Sequence, residues 1–279
     1  MTLIADSGST KTAWCLTDGQ DYSTQFLTAG INPFYTGYKN IIAELSGLAG
    51  QFSQTVNAVY FYGAGVASPE KAALMKQCFR EVFPTATAEV YTDLLGAARA
   101  LCGCTPGIAG ILGTGSNSCF YDGQHIADTV PPCGFILGDE GSGAALGKQL
   151  VADFLQRRLP QELHHAFQEH SKLTKDEILE QVYRKPFPNR FLASFTTFLH
   201  QHQKHSYIHD LLHKSFDNFL TRHIMHYDYA RYPLHLLGSV ALYFQHIIKE
   251  TAGARNIQLG KIEKTALPGL LLYHKKHRP

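Results

Sequence analysis

The sequence of 279 residues lacks long hydrophobic runs and has no strong excess of charge of either sign. No apolar stretch approaches the roughly 18 residues that a membrane-spanning helix needs. Lysine and arginine exceed aspartate and glutamate only by 25 to 23, which gives no electrostatic basis for binding nucleic acid. The chain runs from Met1 directly into a polar turn at Asp6, without the pattern of a signal peptide. We therefore expect a cytoplasmic protein that binds neither nucleic acid nor membranes.

Cysteine is also scarce, and its six residues are not spaced like a disulfide framework or a zinc site. Cys102 and Cys104 form C-x-C, and no second pair stands at zinc spacing. In a reducing compartment such cysteines are expected to be free thiols. An iron–sulfur role that also includes Cys119 and Cys133 stays open as an alternative.

Two short runs of glycine, serine and threonine stand out against this background. Residues 6–12 read Asp-Ser-Gly-Ser-Thr-Lys-Thr, and residues 112–118 read Leu-Gly-Thr-Gly-Ser-Asn-Ser. Each run lies between two apolar, strand-like segments, which predicts a β-hairpin tip. Glycine lets backbone N–H groups point at an anion, and hydroxyls add donors, so both turns are candidate phosphate sites. The Walker pattern and G-x-G-x-x-G are both absent. Two such hairpins, about a hundred residues apart, suggest two related halves that bind one nucleotide.

The predicted elements repeat in the two halves of the chain. Strands at 2–6, 11–17 and 22–28 precede alternating helices and strands up to residue 101, in the order βββαβαβα. After a boundary at 103–107 the three-strand pattern returns at 108–112, 118–121 and 125–127. The later elements are helices over 143–159 and most of 161–228, a strand at 234–237, a helix over 238–251, a strand at 256–259 and a helix over 266–274. We predict domains of residues 1–105 and 106–265, with a helical insertion over about 160–230 in the second.

These motifs resemble those of the sugar kinases of the actin–hexokinase–heat-shock chaperone (ASKHA) superfamily, in particular the N-acetylglucosamine kinases and the BadF-type activator ATPases. In that family, 6–12 would be the first phosphate motif, 112–118 the second, and Leu-Gly-Ser-Val-Ala at 237–241 the adenosine motif. Gly-Asp-Glu-Gly-Ser at 138–142 is similar to the N-acetylglucosamine kinase and activator branch. The resemblance covers nearly the whole chain. It implies an α/β, two-domain, ribonuclease H-like actin-type ATPase fold. Each domain would have a mixed βββαβα sheet with flanking helices, and a last helix over about 266–279 would pack on the N-terminal domain.

The resemblance also implies roles for individual residues. Asp6 would hold Mg²⁺ through water, and Asp93 would be the general base that takes the proton from the sugar hydroxyl. Asn32 and Asp139 would bind the sugar together with Asp93. The residues that would contact ATP are Ser7, Gly8, Ser9, Thr10, Lys11, Thr12, Gly113, Thr114, Gly115, Ser116, Gly238 and Ser239.

Several of these residues also have structural interpretations that the sequence leaves open. Asp6 could accept N–H bonds within its turn, Asn32 could begin an Asx turn before a proline, and Asp93 could cap the helix that follows it. Gly238 and Ser239 could serve only close helix–strand packing, and Glu140 could be only structural. His205, His209 and His213 recur every fourth residue; such a face can bind zinc, but without H-E-x-x-H it is more typical of a solvated helix face.

The sequence thus predicts an ATP-dependent kinase that uses Mg²⁺ and phosphorylates N-acetylglucosamine at its 6-hydroxyl. Residues 130–133 lack the glycine-rich, aromatic sequence that some N-acetylglucosamine kinases have beside the sugar, and Ser239 replaces a glycine of many relatives, so the acceptor sugar stays open. One alternative is an activator ATPase that drives a partner enzyme through a cysteine-ligated cluster. Another is a non-catalytic sugar sensor, although such repressors usually carry a helix-turn-helix before the first phosphate motif, where only five residues stand here. Assembly into a homodimer stays open.

Overall fold

The computed structural model describes residues 1–8, 10–20 and 22–276, which form two units, each built on a five-stranded sheet. The first unit comprises residues 1–105, 121–126 and those from 265 onward, and the second comprises 106–120 and 127–264. Both sheets are flanked by helices, and this architecture confirms the predicted α/β fold class.

The sheet of the first unit begins as an antiparallel meander and continues with two parallel strands. Its strands are β1 (Thr2–Ser7), β2 (Lys11–Thr17), β3 (Ser23–Ala29), β4 (Ala58–Gly63) and β5 (Thr87–Thr92). Their order is β3-β2-β1-β4-β5, with β4 parallel to both β1 and β5. The β1–β2 pairing places Ser7 opposite Thr12, so the two strands form the predicted hairpin.

Helices cover the sheet of the first unit. They are α1 (Tyr38–Ala49), α2 (Pro69–Val82), α3 (Asp93–Cys102) and the last helix of the chain, α13 (Leu267–Lys276). The core beneath α2 is aromatic, with the rings of Trp14, Phe61 and Phe79 within 6.4 Å of one another. Helix α13 packs closely on α3, since a Cβ on Gly269 would lie 2.3 Å from the carbonyl oxygen of Ala100.

The second unit repeats the sheet order with a larger helical cover. Its strands are β6 (Gly107–Leu112), β7 (Ser116–Tyr121), β8 (Ile126–Val130), β9 (Leu234–Leu237) and β10 (Leu259–Glu263), in the order β10-β9-β6-β7-β8. Its helices are α4 (Gly134–Leu137), α5 (Gly143–Leu155), α6 (Gln161–Ser171), α7 (Lys175–Tyr183), α8 (Pro188–Ser194), α9 (Thr196–Gln201), α10 (Ser206–Arg222), α11 (Ser239–Tyr243) and α12 (Gln245–Ala254). Helices α6 to α10 thus occupy the stretch that the sequence predicts as helical.

Three predicted boundaries are wrong, each for a local reason. The helix that begins at Gly143 ends at Leu155 and not at 159, because Arg157 takes a left-handed φ of 57°. The predicted strand at 256–259 begins only at Leu259, because Asn256 (φ 55°) forms the left-handed end of α12. The predicted helix over 238–251 is two helices, interrupted at Phe244, whose ring is buried against Phe216. None of the helices within the described residues is long and apolar enough to cross a bilayer.

Candidate active site

Two carboxylates mark the carboxyl edge of the first sheet. Asp6 lies in β1 opposite Tyr62 of β4, and Tyr62 lies opposite Tyr91 of β5. Asp93 follows β5 directly and is the first residue of α3. Because β1, β4 and β5 are parallel, their carboxyl ends meet at one edge, and the two carboxylates flank the end of β4.

Asp93 is a half-buried carboxyl whose pKa lies closer to neutral pH than that of an exposed aspartate. Burial raises its pKa to about 6; the hydrogen bond from the Leu94 N–H lowers the pKa, and the charge of Asp6 raises it further. The cap of α3 is Thr92, whose Oγ1 accepts the N–H of Leu95 at 3.2 Å. Asp93 Oδ1 accepts the adjacent N–H of Leu94 at 2.9 Å. Thr92, and not Asp93, therefore caps α3. The pKa of Asp93 is suitable for a general base.

Asp6 has the chemistry that a magnesium ligand needs. Burial raises its pKa, and the N–H of Ala266, 3.0 Å from Oδ2, together with the charge of Lys11, lowers it. Mg²⁺ prefers oxygen ligands and usually keeps several of its waters. Within residues 1–8, 10–20 and 22–276 no three or more His, Cys, Asp or Glu side chains gather into a metal cage. The first unit therefore fits a hydrated ion held through Asp6.

The hydroxyls at the base of the first turn serve the fold. Ser7 and Thr12 are buried, and their oxygens lie 2.6 Å apart. Ser7 Oγ donates to the carbonyl of Ile31 at 3.0 Å, and the N–H of Ile31 lies 3.1 Å from Thr12 Oγ1. These contacts tie the hairpin to the segment after β3 and leave the tip to present its donors.

The tip itself is exposed and offers a different set of donors. The N–H of Gly8 donates to the carbonyl of Lys11 at 3.0 Å, and the side chains of Thr10 and Lys11 are exposed. Ser9, the remaining predicted phosphate contact in this turn, lies outside the described residues. Thr10 and Lys11 are therefore the side chains of this turn that can reach an anion.

Asn32 is buried beside the loop that follows β4. Its Oδ1 accepts the N–H of Phe34 at 2.9 Å, which is the Asx turn that the sequence left open. A Cβ on Gly65 (φ 80°) would lie 1.9 Å from the same oxygen, so this glycine is required for the contact. Asn32 thus reaches the strand edge that carries Asp93. Gly65 had no predicted role, and its signal was the Gly-Ala-Gly run after a predicted strand.

The second turn is tied to the start of α5. The N–H groups of Gly143 and Ala144 donate to the carbonyls of Gly113 and Thr114 at 2.8 and 3.0 Å. Ser116 is buried, and its Oγ has no hydrogen-bond partner within the described chain. A buried hydroxyl without a partner is costly, and a phosphate or sugar oxygen would satisfy it. The turn therefore fits the predicted role of a ligand-binding hairpin.

Asp139 lies against this turn in the second unit. It is 9% exposed, takes a left-handed φ of 57°, and its Oδ2 lies 3.0 Å from the position of a Cβ on Gly115. Burial raises its pKa to about 6, the N–H of Ser116 lowers the pKa by donating to the carboxylate, and Glu140 raises it. The structure therefore brings together Gly115, Ser116 and Asp139, which the sequence analysis assigned to two different ligands.

Gly238 joins the predicted adenosine motif to the same turn. Its φ is 123°, and a Cβ would lie 2.2 Å from the carbonyl oxygen of Leu112 and 3.3 Å from the nitrogen of Gly113. The close packing of this segment on β6 therefore requires a glycine at 238. This is the packing role that the sequence analysis left open for Gly238. Ser239 is exposed at the start of α11, next to the second phosphate turn.

His205, the cap of α10, and His209 within α10 contact carboxylates of neighbouring helices. His205 Nε2 lies 3.0 Å from Glu162 of α6, and His209 Nε2 lies 3.1 Å from Glu250 of α12. His213 stacks on His209. This face is consequently half-buried and paired, which corrects the expectation of a solvated one.

Comparison with solved structures reveals similar chains. A proposed N-acetylglucosamine kinase from Porphyromonas gingivalis is 44% identical over 100% of both chains, with a TM-score of 0.96. A proposed N-acetylglucosamine kinase from Chromobacterium violaceum is 19% identical over 98% of each chain (TM-score 0.71). A ROK family glucokinase from Streptomyces griseus, in complex with glucose and AMPPNP, is 15% identical over 99% of each chain (TM-score 0.61). The last two share the fold alone. No protein-family model and no curated protein matches the chain.

Proposed function

The chain belongs to the N-acetylglucosamine kinase family of the ASKHA sugar kinases, and we propose that it transfers the γ-phosphoryl group of ATP to an amino sugar. The acceptor is N-acetylglucosamine and the product N-acetylglucosamine 6-phosphate. The observation that carries this proposal is Asp93, a carboxyl with a pKa of about 6 beside Asp6 at one strand edge. A cytoplasmic location remains a prediction, and assembly into a homodimer stays open.

Asp93 acts as the general base in this proposal. At neutral pH a group with a pKa of about 6 is mostly ionised, yet basic enough to accept a proton. It takes the proton of the sugar 6-hydroxyl as that oxygen bonds to the γ-phosphorus. The bond from phosphorus to the β,γ-bridging oxygen breaks, and ADP leaves. Asn32, at the same strand edge, and Asp139 orient the sugar through hydrogen bonds to its other hydroxyls.

Charge at the phosphates is balanced by the turns and by Asp6. Phosphoryl transfer depends mainly on positioning and electrostatic stabilisation. Thr10 and Lys11 of the first turn and Thr114 and Ser116 of the second donate to phosphate oxygens. Asp6 would hold Mg²⁺ through its waters, and the ion would supply positive charge to the phosphate oxygens.

The experiment that tests this function is an ADP-release assay with ATP and Mg²⁺. The acceptors to compare are N-acetylglucosamine, glucosamine, N-acetylmuramic acid, N-acetylmannosamine and glucose. We expect turnover to depend on an added sugar and to be fastest with N-acetylglucosamine. Hydrolysis of ATP that is independent of sugar, in a brown, iron-bearing protein, would instead support the activator ATPase. Sugar binding without ADP release would support a sensor.

A further inference from the structure

Asp139 is held in a conformation that its own loop makes unfavourable. Residues other than glycine rarely take a φ of 57°, yet the Asp139 N–H donates to the carbonyl of Pro132 at 2.9 Å, and its carbonyl accepts the N–H of Ser142 at 3.1 Å. A Cβ on the preceding Gly138 would lie 2.1 Å from the Pro132 oxygen. The backbone is thus held on both sides, and the carboxylate lies beside Gly115.

The next residue, Glu140, is bound by two donors from the end of α10. Its Oε1 accepts Arg222 Nη1 at 2.8 Å, and its Oε2 accepts His223 Nε2 at 2.9 Å. Cationic groups are favoured at the C-terminal end of a helix, where Arg222 is the last helical residue and His223 the cap. Although burial raises the pKa of Glu140, the bonds from His223 and Arg222 bring it below its ordinary value. Glu140 therefore remains a carboxylate next to Asp139.

His223 is the least exposed member of this group. Its ring is 3% exposed and stacks on Phe219, with 5.5 Å between ring centroids. Nε2 bonds Glu140, but Nδ1 is buried without a hydrogen-bond partner in the described chain. A histidine chosen only for packing would not leave a buried ring nitrogen unsatisfied. A buried histidine in this place agrees with a role that acts through its bond to Glu140.

We propose that Glu140 and His223, supported by Arg222, are positioning residues that hold the Asp139 carboxylate for the acceptor sugar. This inference rests on the proposed function, because it assigns Asp139 to the sugar. The pair holds Glu140 against the end of α10 and so limits movement of the neighbouring Asp139, whose φ of 57° is uncommon outside glycine. The charged groups that act on Asp139 are Glu140 in its own loop, His223 at the end of α10 and Lys148 of α5.

The test uses variants with opposite electrostatic effects on Asp139. Glu140 raises the pKa of Asp139 and His223 lowers it, so Glu140→Gln is expected to move the Asp139 titration to lower pH and His223→Phe to higher pH. The titration is followed by ¹³C NMR of aspartate-labelled protein, with the signal assigned by its loss in Asp139→Asn. Opposite shifts would show that both groups act directly on the Asp139 carboxylate.

Kinetics supply the second readout. We expect Glu140→Gln and His223→Phe to raise the KM for the sugar by about 10- to 100-fold and to leave the KM for ATP within about twofold. His223→Gln, which can still donate to Glu140, should restore part of the sugar KM. The control is His209→Gln, which removes a histidine–glutamate pair of similar length (3.1 Å) elsewhere on α10 and should change neither readout.

Each outcome decides a separate claim. Midpoints that stay at the wild-type value, or that move in the same direction, would overturn the positioning role. So would an unchanged sugar KM in a sugar-active enzyme, with folding of each variant checked by thermal unfolding. If the wild-type protein phosphorylates no sugar, the proposed function fails, and the NMR titration still decides whether the network controls Asp139.

Discussion

Asp93 and Asp139 are both carboxyls whose pKa burial raises to about 6. A charged group in a poorly solvated site destabilises the fold, and such groups cluster at functional sites. The first unit places one such group beside Asp6, and the second places the other against Gly115 and Ser116. At the residue scale, each unit therefore contains a buried carboxyl that lowers the stability of the fold and that is best explained by a functional role.

This loss predicts a pH-dependent gain in stability for Asp139→Asn. Below about pH 3 the carboxyl is protonated in both states and contributes nothing. As pH rises, the unfolded chain releases its proton near 3.8 and the folded chain only near 6, so the native state progressively loses stability, by up to about 3 kcal/mol above pH 6. The neutral variant should therefore melt at a higher temperature than the wild type at pH 8 and at the same temperature near pH 3. A lower melting temperature at pH 8 would show that the carboxylate stabilises the fold.

At the scale of elements, the hairpins and most helices could be predicted because their signals are local. Alternating apolar residues and Gly-Ser-Thr turns define β1, β2, β6 and β7 within a few residues. The sequence does not predict the end of α12, because no neighbouring residue indicates that Asn256 takes a left-handed conformation. The partners of buried polar groups were missed because they are distant in sequence. Ser7 bonds Ile31, 24 residues away, and Glu140 bonds His223, 83 residues away.

Gly238 allows the turn between β9 and α11 to lie against β6, which makes Gly238→Ala a test of that packing. The new Cβ would lie 2.2 Å from a backbone oxygen, at a φ of 123°, so we expect a loss of at least about 2 kcal/mol in the free energy of unfolding. Gly253→Ala is the matched control, since its Cβ would meet nothing within 4 Å in α12, and it should stabilise the helix by about 0.5–1 kcal/mol. Urea denaturation measures both, and equal effects of the two substitutions would contradict the packing account.

At the scale of the whole molecule, the chain repeats one sheet order and adds a closing helix. The order β3-β2-β1-β4-β5 of the first sheet corresponds to β8-β7-β6-β9-β10 of the second, as expected for two related halves. Helix α13 completes the first unit, where the N–H of Ala266 bonds Asp6 from 260 residues away. The limits of the two domains near residue 105 stay a sequence prediction. The resemblance of the phosphate and adenosine motifs to those of the ASKHA sugar kinases identified the fold. Length and composition alone indicated only a chain with two hydrophobic cores.

The central claim is that Asp93 is the base of a sugar kinase, and Asp93→Asn tests it most directly. The measurement is kcat with N-acetylglucosamine and ATP, together with the affinity for the sugar by calorimetry. Loss of a general base usually lowers the rate 10²- to 10⁴-fold, and the amide can still hydrogen-bond the sugar hydroxyl. We therefore predict a kcat at least about 100-fold below that of the wild type, with the sugar Kd changed only severalfold. A variant that keeps more than about a tenth of wild-type kcat would contradict the account.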